Sequence, residues 1–375
     1  MFQAICFSHP KRSASVRKLG GRPRLIRTRH YWEKSDCSEM KSRERVLTSL
    51  EHEEPDRVPR FEVWINEDMV AELGYEDLQS AHVGLGLDCV MIPTRIPKRS
   101  NYWRNGLDEW GQIWKNGIYV NGVVDTDTDL EKYSPPLDTV NEFFGTGEIK
   151  ESMQRYADHC LIYGSHIGPF MMAYMAMGFA RFFRALHERS MFVRELLKAR
   201  TGWCIAMCQK AASLGVDLIV LGDDAGHRGG PMIPPKMWRE LVLPCHRSIV
   251  NELDIPVIWH TDGAIESLLP MAIEAGFRGV HGLEPAAGID LGKVKQAFGD
   301  NLVLAGNVDV AVLCGSDINA VRSEVTRCIE QGASGGGYML SSCNSLFKGM
   351  NPASIVEMYR YAGKVGVYDK SRVRT

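Results

Sequence analysis

A short apolar run at residues 255–263, with the sequence IPVIWHTDG, ends abruptly in polar residues. The run is rich in β-branched residues and stops at His260, which Thr261 and Asp262 follow. A buried parallel strand has this pattern when it delivers polar side chains to a site at its carboxyl end. His260 and Asp262 are therefore the first candidate residues of a functional site.

Six of the seven other apolar runs also end in residues whose side chains can do chemistry. If these runs are parallel strands of one barrel, their carboxyl ends lie at the same face and the polar residues converge there. This convergence is inferred from topology and not from local spacing. The candidates at the other strand ends are Glu62, Trp64, His166, Asp223, Asp224, Glu284, Asn307, Asp309 and Cys343.

One imidazole, one carboxylate and one thiolate are available from His260, Glu284 and Cys343. This mixture suits tetrahedral zinc, with the fourth position for Asp262, water or substrate. A purely structural role for Cys343 and His260 is the alternative to metal binding. A cysteine in a Ser-rich loop is often a small buried residue, and a histidine that ends a strand can bond a neighbouring backbone group.

Asp223 and Asp224 are adjacent carboxylates that follow the fourth apolar run. They could form a catalytic or binding pair, or they could cap the next helix. We favour function for at least one of them, because adjacent like charges in a barrel mouth are costly without a task. His227 lies in the glycine-containing loop that follows and could contact substrate.

Strand-like and helix-like stretches alternate along the chain, and several of the helix-like stretches stop at glycine. Eight strands separated by helices predict a closed (β/α)8 TIM barrel. An open doubly wound sheet is the alternative, but no GxGxxG follows the first strand. Residues 109–124 alternate aromatic and β-branched residues around Asn116-Gly117, which predicts an antiparallel hairpin insertion. The predicted strands are 58–64, 85–93, 160–166, 216–221, 256–260, 279–283, 302–305 and 337–341.

Composition limits the classes of partner. The chain has 375 residues, is 45% hydrophobic and carries a net charge of −2, which gives no reason to expect nucleic acid or an anionic membrane as partner. No apolar run approaches the roughly 18 residues of a membrane-spanning helix. The ten cysteines are scattered without a pairing pattern, which favours free thiols and the cytoplasm.

The first 39 residues differ from the rest of the chain. Residues 1–30 contain eight Lys or Arg and no acid, so we expect a disordered basic leader. A transit peptide or a polyanion-binding arm would have a similar composition. We favour an extension without a role, because a well-formed helix begins just after Met40. The predicted organisation is a leader at 1–39, a barrel at 40–368 and a tail at 369–375.

Motifs distributed over most of the chain carry a resemblance to a known family. The chain from Met40 to about Tyr368 resembles the uroporphyrinogen decarboxylase superfamily, whose fold is a (β/α)8 barrel. The matching stretches are SRERVLTSL at 42–50, EPDRVP at 54–59, IGPF at 167–170, GDD with PKMWRELVLP within 222–244, HTDG at 260–263, LEPAAGIDL at 283–291 and GNVD at 306–309.

The two branches of this superfamily differ at specific positions. True porphyrinogen decarboxylases carry an arginine-rich loop after the first strand, whereas residues 61–66 read FEVWIN here. An octacarboxylate substrate would be poorly compensated without those cations. Corrinoid-dependent methyltransferases hold zinc with His-x-Cys and a distant Cys, and His260 and Cys343 fall on two of these places. Asp262 replaces the first cysteine and would make the zinc a harder Lewis acid.

The resemblance implies a zinc-dependent methyltransferase that moves a methyl group from a small O- or N-methylated compound to a corrinoid protein. The corrinoid belongs to a partner protein, because the chain has no corrinoid-binding DxHxxG motif, and we also consider a homodimer. The alternatives are a carboxy-lyase of tetrapyrrole metabolism and a non-catalytic ligand-binding barrel. The expected roles are metal binding by His260, Glu284 and Cys343, catalysis by Asp223, Asp224 and Asp262, and substrate binding by Glu62, Trp64, His166, His227 and Asn307.

Overall fold

The computed structural model describes residues 40–369. The basic leader predicted at 1–39, and the predicted tail beyond residue 369, lie outside these residues. The strands are β1 (Cys89–Met91), β2 (Gly106–Leu107), β3 (Gln112–Lys115), β4 (Ile118–Gly122), β5 (Cys160–Ser165), β6 (Leu218–Gly222), β7 (Gly226–His227), β8 (Gly230–Pro231), β9 (Val257–Thr261), β10 (Gly279–Gly282), β11 (Val303–Val308) and β12 (Tyr338–Ser342).

Helices connect the strands of the main sheet and form its outer layer. Three short 3-10 helices also occur, at Leu137–Phe143, Glu266–Leu268 and Pro285–Ala287. The α-helices are α1 (Ser42–Leu50), α2 (Glu67–Glu72), α3 (Leu78–Gly84), α4 (Asp127–Lys132), α5 (Thr146–Arg155), α6 (Pro169–Met177), α7 (Phe179–Glu188), α8 (Ser190–Ser213), α9 (Pro235–Leu241), α10 (Leu243–Asn251), α11 (Leu269–Ala275), α12 (Leu291–Phe298), α13 (Val310–Cys314), α14 (Ile318–Gly332) and α15 (Pro352–Val365).

The main sheet has seven parallel strands in the order β1-β5-β6-β9-β10-β11-β12. Each pair of consecutive strands in this order is parallel, as expected when a helix makes each crossover. The sequence therefore predicted seven of the eight strands at the right places. The described helices include none that is both long and apolar enough to cross a membrane.

The two faces of the sheet bury different residues, because successive side chains of a strand point to opposite faces. In β6, Leu218 and Val220 belong to the inner core, which they share with Ile258 of β9. Ile219 and Leu221 belong to the larger core between sheet and helices. This alternation decides which polar residues at the strand ends face the barrel interior.

The prediction of a regular first strand at residues 58–64 is wrong. The segment lies between β12 and β1 and makes isolated parallel bridges, at Arg60–Leu340 and Ile65–Leu346. Pro59 has no N–H to donate, and the N–H of Val63 donates to the carboxylate of Glu62 at 3.3 Å. These two features interrupt the ladder. The predicted closed eight-stranded barrel is therefore corrected to a curled seven-stranded sheet whose gap this segment occupies.

A buried carboxylate, Asp88, holds this segment at the amino end of the sheet. It accepts hydrogen bonds from Arg45 Nη1 at 2.7 Å, Arg57 Nη2 at 2.8 Å and the backbone N–H of Arg60 at 2.8 Å. Burial alone would raise the pKa of Asp88, but the charges of Arg57, Arg60 and Arg45 outweigh it and lower the pKa to about 2. The motifs at 42–50 and 54–59 therefore have a structural role.

The predicted insertion is confirmed as a three-stranded antiparallel sheet in the order β2-β3-β4. The turn between β3 and β4 places Asn116 at φ +53° and Gly117 at φ +77°, which is the left-handed geometry that an Asn-Gly hairpin uses. The insertion packs on α6, where Tyr119 OH donates to the carbonyl oxygen of Met175 at 2.9 Å.

We predict that Asp88→Asn lowers the free energy of unfolding by about 3–5 kcal/mol, because it leaves buried guanidinium groups without their carboxylate. Urea unfolding at neutral pH measures the loss. Asp158→Asn is the control, because Asp158 forms an exposed ion pair with Lys41 and its loss should barely move the unfolding midpoint. Equal midpoints for the two variants would contradict the assigned role of Asp88.

Candidate functional site

A cluster of three potential ligands lies at the carboxyl ends of β6 and β9. One ligand atom from each of Asp224, His260 and Asp262 lies within 4.8 Å of the other two. The alternation of side chains explains the grouping. Asp224 has the inward parity of Leu218 and Val220, and His260 and Asp262 have that of Ile258. In residues 40–369 this is the one such group of three or more histidine, cysteine or acidic residues.

His260 is fully buried and uses only one of its two ring nitrogens. Its Nδ1 shares a hydrogen bond with Nδ1 of His281 at 2.7 Å, whereas its Nε2 has no hydrogen-bond partner. Nε2 lies 3.8 Å from Oδ1 of Asp262. Burial, and then the neighbouring rings of His281 and His166, hold the pKa of His260 well below its usual value. The ring is therefore neutral and has a ring nitrogen available to bind a metal or a substrate.

The carboxylates of the cluster repel one another. Burial and the charges of Asp223 and Glu284 raise the pKa of Asp224 to about 7. Burial, together with the charges of Asp224 and Glu284, raises the pKa of Asp262 well above its usual value. Asn344 Nδ2 donates to Oδ1 of Asp262 at 2.8 Å and partly offsets this repulsion. A bound cation would remove the repulsion, because it favours the ionised form of each carboxyl.

Glu284 and Cys343, which the sequence predicted as metal ligands, lie beside the cluster without belonging to it. Oε2 of Glu284 accepts a hydrogen bond from the N–H of Gly263 at 3.2 Å. Cys343 is buried, and burial raises the pKa of its thiol well above the usual value. Asp224 and Asp262 form a compact group with His260, and Glu284 and Cys343 are outside this group. The predicted ligand set stays a prediction.

The adjacent residues Asp223 and Asp224 have different environments. Asp223 has the outward parity, and its oxygens accept hydrogen bonds from the N–H groups of Met171 at 2.7 Å and Phe170 at 3.3 Å. Its Oδ2 also binds Nε2 of His246 at 2.7 Å. The carboxylate therefore caps the amino end of α6 and ties it to α10. Asp223 therefore does cap a helix, but this helix is α6, which precedes β6, and not the next helix as the alternative had it; Asp224 faces the site.

Trp64 and His166 form an aromatic wall next to His260. The ring centroids of Trp64 and His166 are 4.1 Å apart, and those of Trp64 and His260 are 4.9 Å apart. Burial lowers the pKa of His166 to about 4, so the ring is neutral, and its Nε2 has no hydrogen-bond partner. The structure therefore brings these two predicted substrate-binding residues to the candidate site.

Two other predicted substrate-binding residues, Asn307 and His227, use their polar groups in hydrogen bonds within the protein. Asn307 Nδ2 donates to the carbonyl oxygen of Leu283 at 2.9 Å, and its Oδ1 accepts from Arg327 Nη2 at 3.1 Å. His227 is exposed, and its Nδ1 accepts from the N–H of Gly229 at 3.0 Å. Their substrate contacts stay predictions.

Glu62, the fifth predicted substrate-binding residue, is completely buried and bonded within the fold. Its Oε2 accepts from Tyr359 OH at 2.8 Å and from the N–H of Ser342 at 3.3 Å. Burial raises the pKa of Glu62 to about 7 despite these hydrogen bonds. Its substrate contact also stays a prediction.

Sequence reasoning missed His281 and Asn344, both of which contact the cluster. His281 is directly paired with His260 in the register of β9 and β10. The signal was available, because both apolar runs carry a histidine at an inward-facing position. Asn344 directly follows Cys343 in the chain, so the loop after β12 reaches the cluster through Asn344 and not only through the thiol.

Comparison with known proteins shows the family and the fold. The family model described as "Uroporphyrinogen decarboxylase (URO-D)" matches residues 112–365. The chain belongs to this family. A "methyltransferase from Methanosarcina mazei" of known structure superposes with a TM-score of 0.71 at 18% identity, covering 87% of this chain and 99% of that one. At this identity the likeness shows the fold, and the solved neighbour supports a TIM-like arrangement.

Two curated relatives of this uroporphyrinogen decarboxylase family member match parts of the chain. The "Methylated-thiol--coenzyme M methyltransferase" of Methanosarcina mazei is 25% identical over 190 residues, 50% of this chain and 49% of its own length. The "Uroporphyrinogen decarboxylase" of Geobacter metallireducens is 27% identical over 132 residues, 34% of this chain and 37% of its own length. The matches thus span about half or less of these relatives.

We predict that Asp223→Asn destabilises the protein by about 2 kcal/mol, because one amide oxygen replaces two anionic oxygens where three donors converge. Asp224→Asn is the matched control, since the neighbouring carboxyl accepts no such set of donors and its replacement should not destabilise the metal-free protein. Thermal unfolding in the presence of a chelator compares the two variants. The assignment would fail if Asp224→Asn were the more destabilising change.

We also predict that Glu62 makes folding stability depend on pH. Its pKa is raised by folding, so its contribution is complete below the unfolded value near 4.5 and is lost as the pH rises towards about 7. A difference of this size between the folded and unfolded pKa corresponds to about 3 kcal/mol. Urea unfolding between pH 5 and pH 8 should therefore show a shallower loss of stability in Glu62→Gln than in the wild type. Parallel profiles would contradict the prediction.

Proposed function

We propose that this chain is a zinc-dependent methyltransferase that moves a methyl group from a small O- or N-methylated compound to a corrinoid protein. The observation that carries the proposal is the unpartnered Nε2 of His260, fully buried beside the carboxylates of Asp262 and Asp224. A buried polar atom without a partner is rare in a folded protein and indicates a missing ligand. The relation to methyltransferases of this family supports methyl transfer as the reaction class.

The residues present fit a zinc ion. The cluster offers one imidazole nitrogen and two carboxylates, and catalytic zinc sites use three protein ligands with one open position. We propose that His260 and Asp262 hold the ion. Cys343, one of the predicted ligands, is the proposed third ligand, and Glu284, the other, is the alternative to it; Asp224 stays outside the ligand set. Zinc would supply Lewis acidity that polarises the donor heteroatom of the substrate.

Asp224 is the proposed general acid. Its pKa of about 7 leaves a substantial protonated fraction at neutral pH, and this proton can pass to the heteroatom from which the methyl group departs. Asp223 is less suited to this step, because both of its oxygens are occupied by helix capping and His246. The aromatic wall of Trp64 and His166 would exclude water from the side of the His260 ring that it covers.

The proposed methyl donor is an ether, alcohol derivative or amine instead of a thioether. The curated methyltransferase relative is named for a methylated thiol, but the carboxylate of Asp262 favours a hard donor atom. The corrinoid would be presented by a partner protein that docks at the barrel mouth. The eight cysteines of the described residues are free, which supports the proposed cytoplasmic location.

Metal analysis with a methyl-transfer assay tests the proposal. We expect about one zinc per chain in the wild type and a large loss in Asp262→Asn and Cys343→Ser. Asp224→Asn should keep the zinc and slow methyl transfer from an O- or N-methylated donor to reduced cobalamin by about 100-fold or more. Asp309→Asn is the control, because Asp309 follows β11 at the same end of the sheet but caps α13, where it accepts a hydrogen bond from the N–H of Ala311.

Less than about 0.1 zinc per chain in every variant and in the wild type, under non-chelating conditions, would overturn the metal site. Release of carbon dioxide from a carboxylated substrate by the metal-free protein would favour the carboxy-lyase alternative. Retained ligand affinity without any turnover would favour a non-catalytic binding barrel.

A further inference from the structure

A chain of three buried polar groups runs from the candidate metal site into the barrel interior. Nδ1 of His260 and Nδ1 of His281 lie 2.7 Å apart, and Nε2 of His281 lies 3.0 Å from Oγ of Ser341. All three residues have no exposed surface. They come from β9, β10 and β12. The residue of β11 paired with His281 is the small Ala305, which leaves room for the ring to reach Ser341.

The contact between two Nδ1 atoms restricts the protonation of both rings. A neutral imidazole carries one N–H donor and one acceptor nitrogen, so one of the two rings donates and the other accepts. If His260 donates, its Nε2 has a free lone pair, and His281 donates its Nε2–H to Ser341. If His281 donates, His260 carries its proton on Nε2, and Ser341 donates its hydroxyl hydrogen to His281.

The surroundings of His260 separate these two arrangements. A proton on Nε2 would be a buried donor without an acceptor, because this nitrogen has no hydrogen-bond partner and Asp262 Oδ1, at 3.8 Å, is beyond hydrogen-bond distance. An unsatisfied buried N–H is costly. A lone pair on Nε2 leaves no buried N–H without an acceptor. The first arrangement is therefore the stable one.

We propose that His281, supported by Ser341, is a positioning residue that holds the Nδ1-protonated tautomer of His260, so that Nε2 presents its lone pair to a metal ion. In metal sites the second nitrogen of a ligating histidine usually donates to a carboxylate, a carbonyl or water, and here another histidine has that role. The consequence for metal binding rests on the proposed function. The tautomer itself is a property of the metal-free protein.

Nitrogen NMR of the metal-free protein tests the tautomer directly. Selective ¹⁵N labelling of histidine distinguishes protonated from unprotonated ring nitrogens, and His260→Gln assigns the signals of His260. We expect a protonated Nδ1 and an unprotonated Nε2 in His260. His246 is the internal reference, because its Nε2 bonds the carboxylate of Asp223 and should carry a proton. A proton on Nε2 of His260 in the wild type would overturn the proposal.

The chain of His260, His281 and Ser341 forms a histidine relay, and variants of this relay test what fixes the tautomer of His260. Ser341→Ala removes the acceptor for His281 and should move the proton of His260 towards Nε2, with zinc affinity lower by about 10- to 100-fold. Ser354→Ala is the matched control, since Ser354 is equally buried and donates to the carbonyl oxygen of Gly315 in another part of the fold. Equal ¹⁵N signals and equal zinc affinities in the two variants would overturn the role of Ser341.

Substitution of His281 distinguishes positioning from packing. His281→Leu fills the space without an acceptor and should weaken zinc binding, measured by competition with a chromogenic chelator. His281→Asn supplies a side-chain oxygen near the position of Nδ1 and should restore the unprotonated Nε2 of His260. Equal loss in both variants would contradict positioning. If the wild type shows the expected tautomer but binds no zinc, the proposed metal function fails while the relay stands.

Discussion

The hydrogen bonds of Asp223 are the interaction on which the candidate site depends most. This carboxylate holds the amino end of α6 through two backbone N–H groups and joins it to His246 of α10. Its own backbone is fixed as well, because its N–H donates to the carbonyl oxygen of His260 and Trp259 Nε1 donates to its carbonyl oxygen. Asp224, the next residue, is thereby directed into the barrel.

A second buried carboxylate, Asp88, serves the opposite end of the barrel. The irregular segment between β12 and β1 has too few ladder hydrogen bonds to define its own position. Arg45 and Arg57 bind Asp88 from the two sides of the turn that precedes this segment. Trp64 and Glu62 reach their places because this turn is fixed. Asp223 and Asp88 lie far apart in the fold, yet both help to position the residues at the carboxyl end of the sheet.

The sequence allowed the strand positions to be predicted because buried parallel strands leave a strong local pattern. It did not show that residues 58–64 lack a regular ladder, since that depends on the carboxylate of Glu62 competing for the N–H of Val63. The different fates of Asp223 and Asp224 could have been inferred from strand alternation. The inward position of His281 could have been inferred in the same way, but its bonds to His260 and Ser341 could not, because they depend on how β9, β10, β11 and β12 align.

The cluster is electrostatically unfavourable as the chain alone presents it. Asp224 and Asp262 have raised pKa values, and His260 has a buried nitrogen without a partner. The protein can fold despite this cost, because the hydrogen bonds of Asp223 and the surrounding core fix the strand ends independently of the cluster. A divalent cation held by His260 and Asp262 would offset both features, since it favours the ionised carboxylate of Asp262 and binds the free lone pair of His260. The electrostatics at the carboxyl ends of β6 and β9 therefore favour a bound cation, as the proposed zinc site requires.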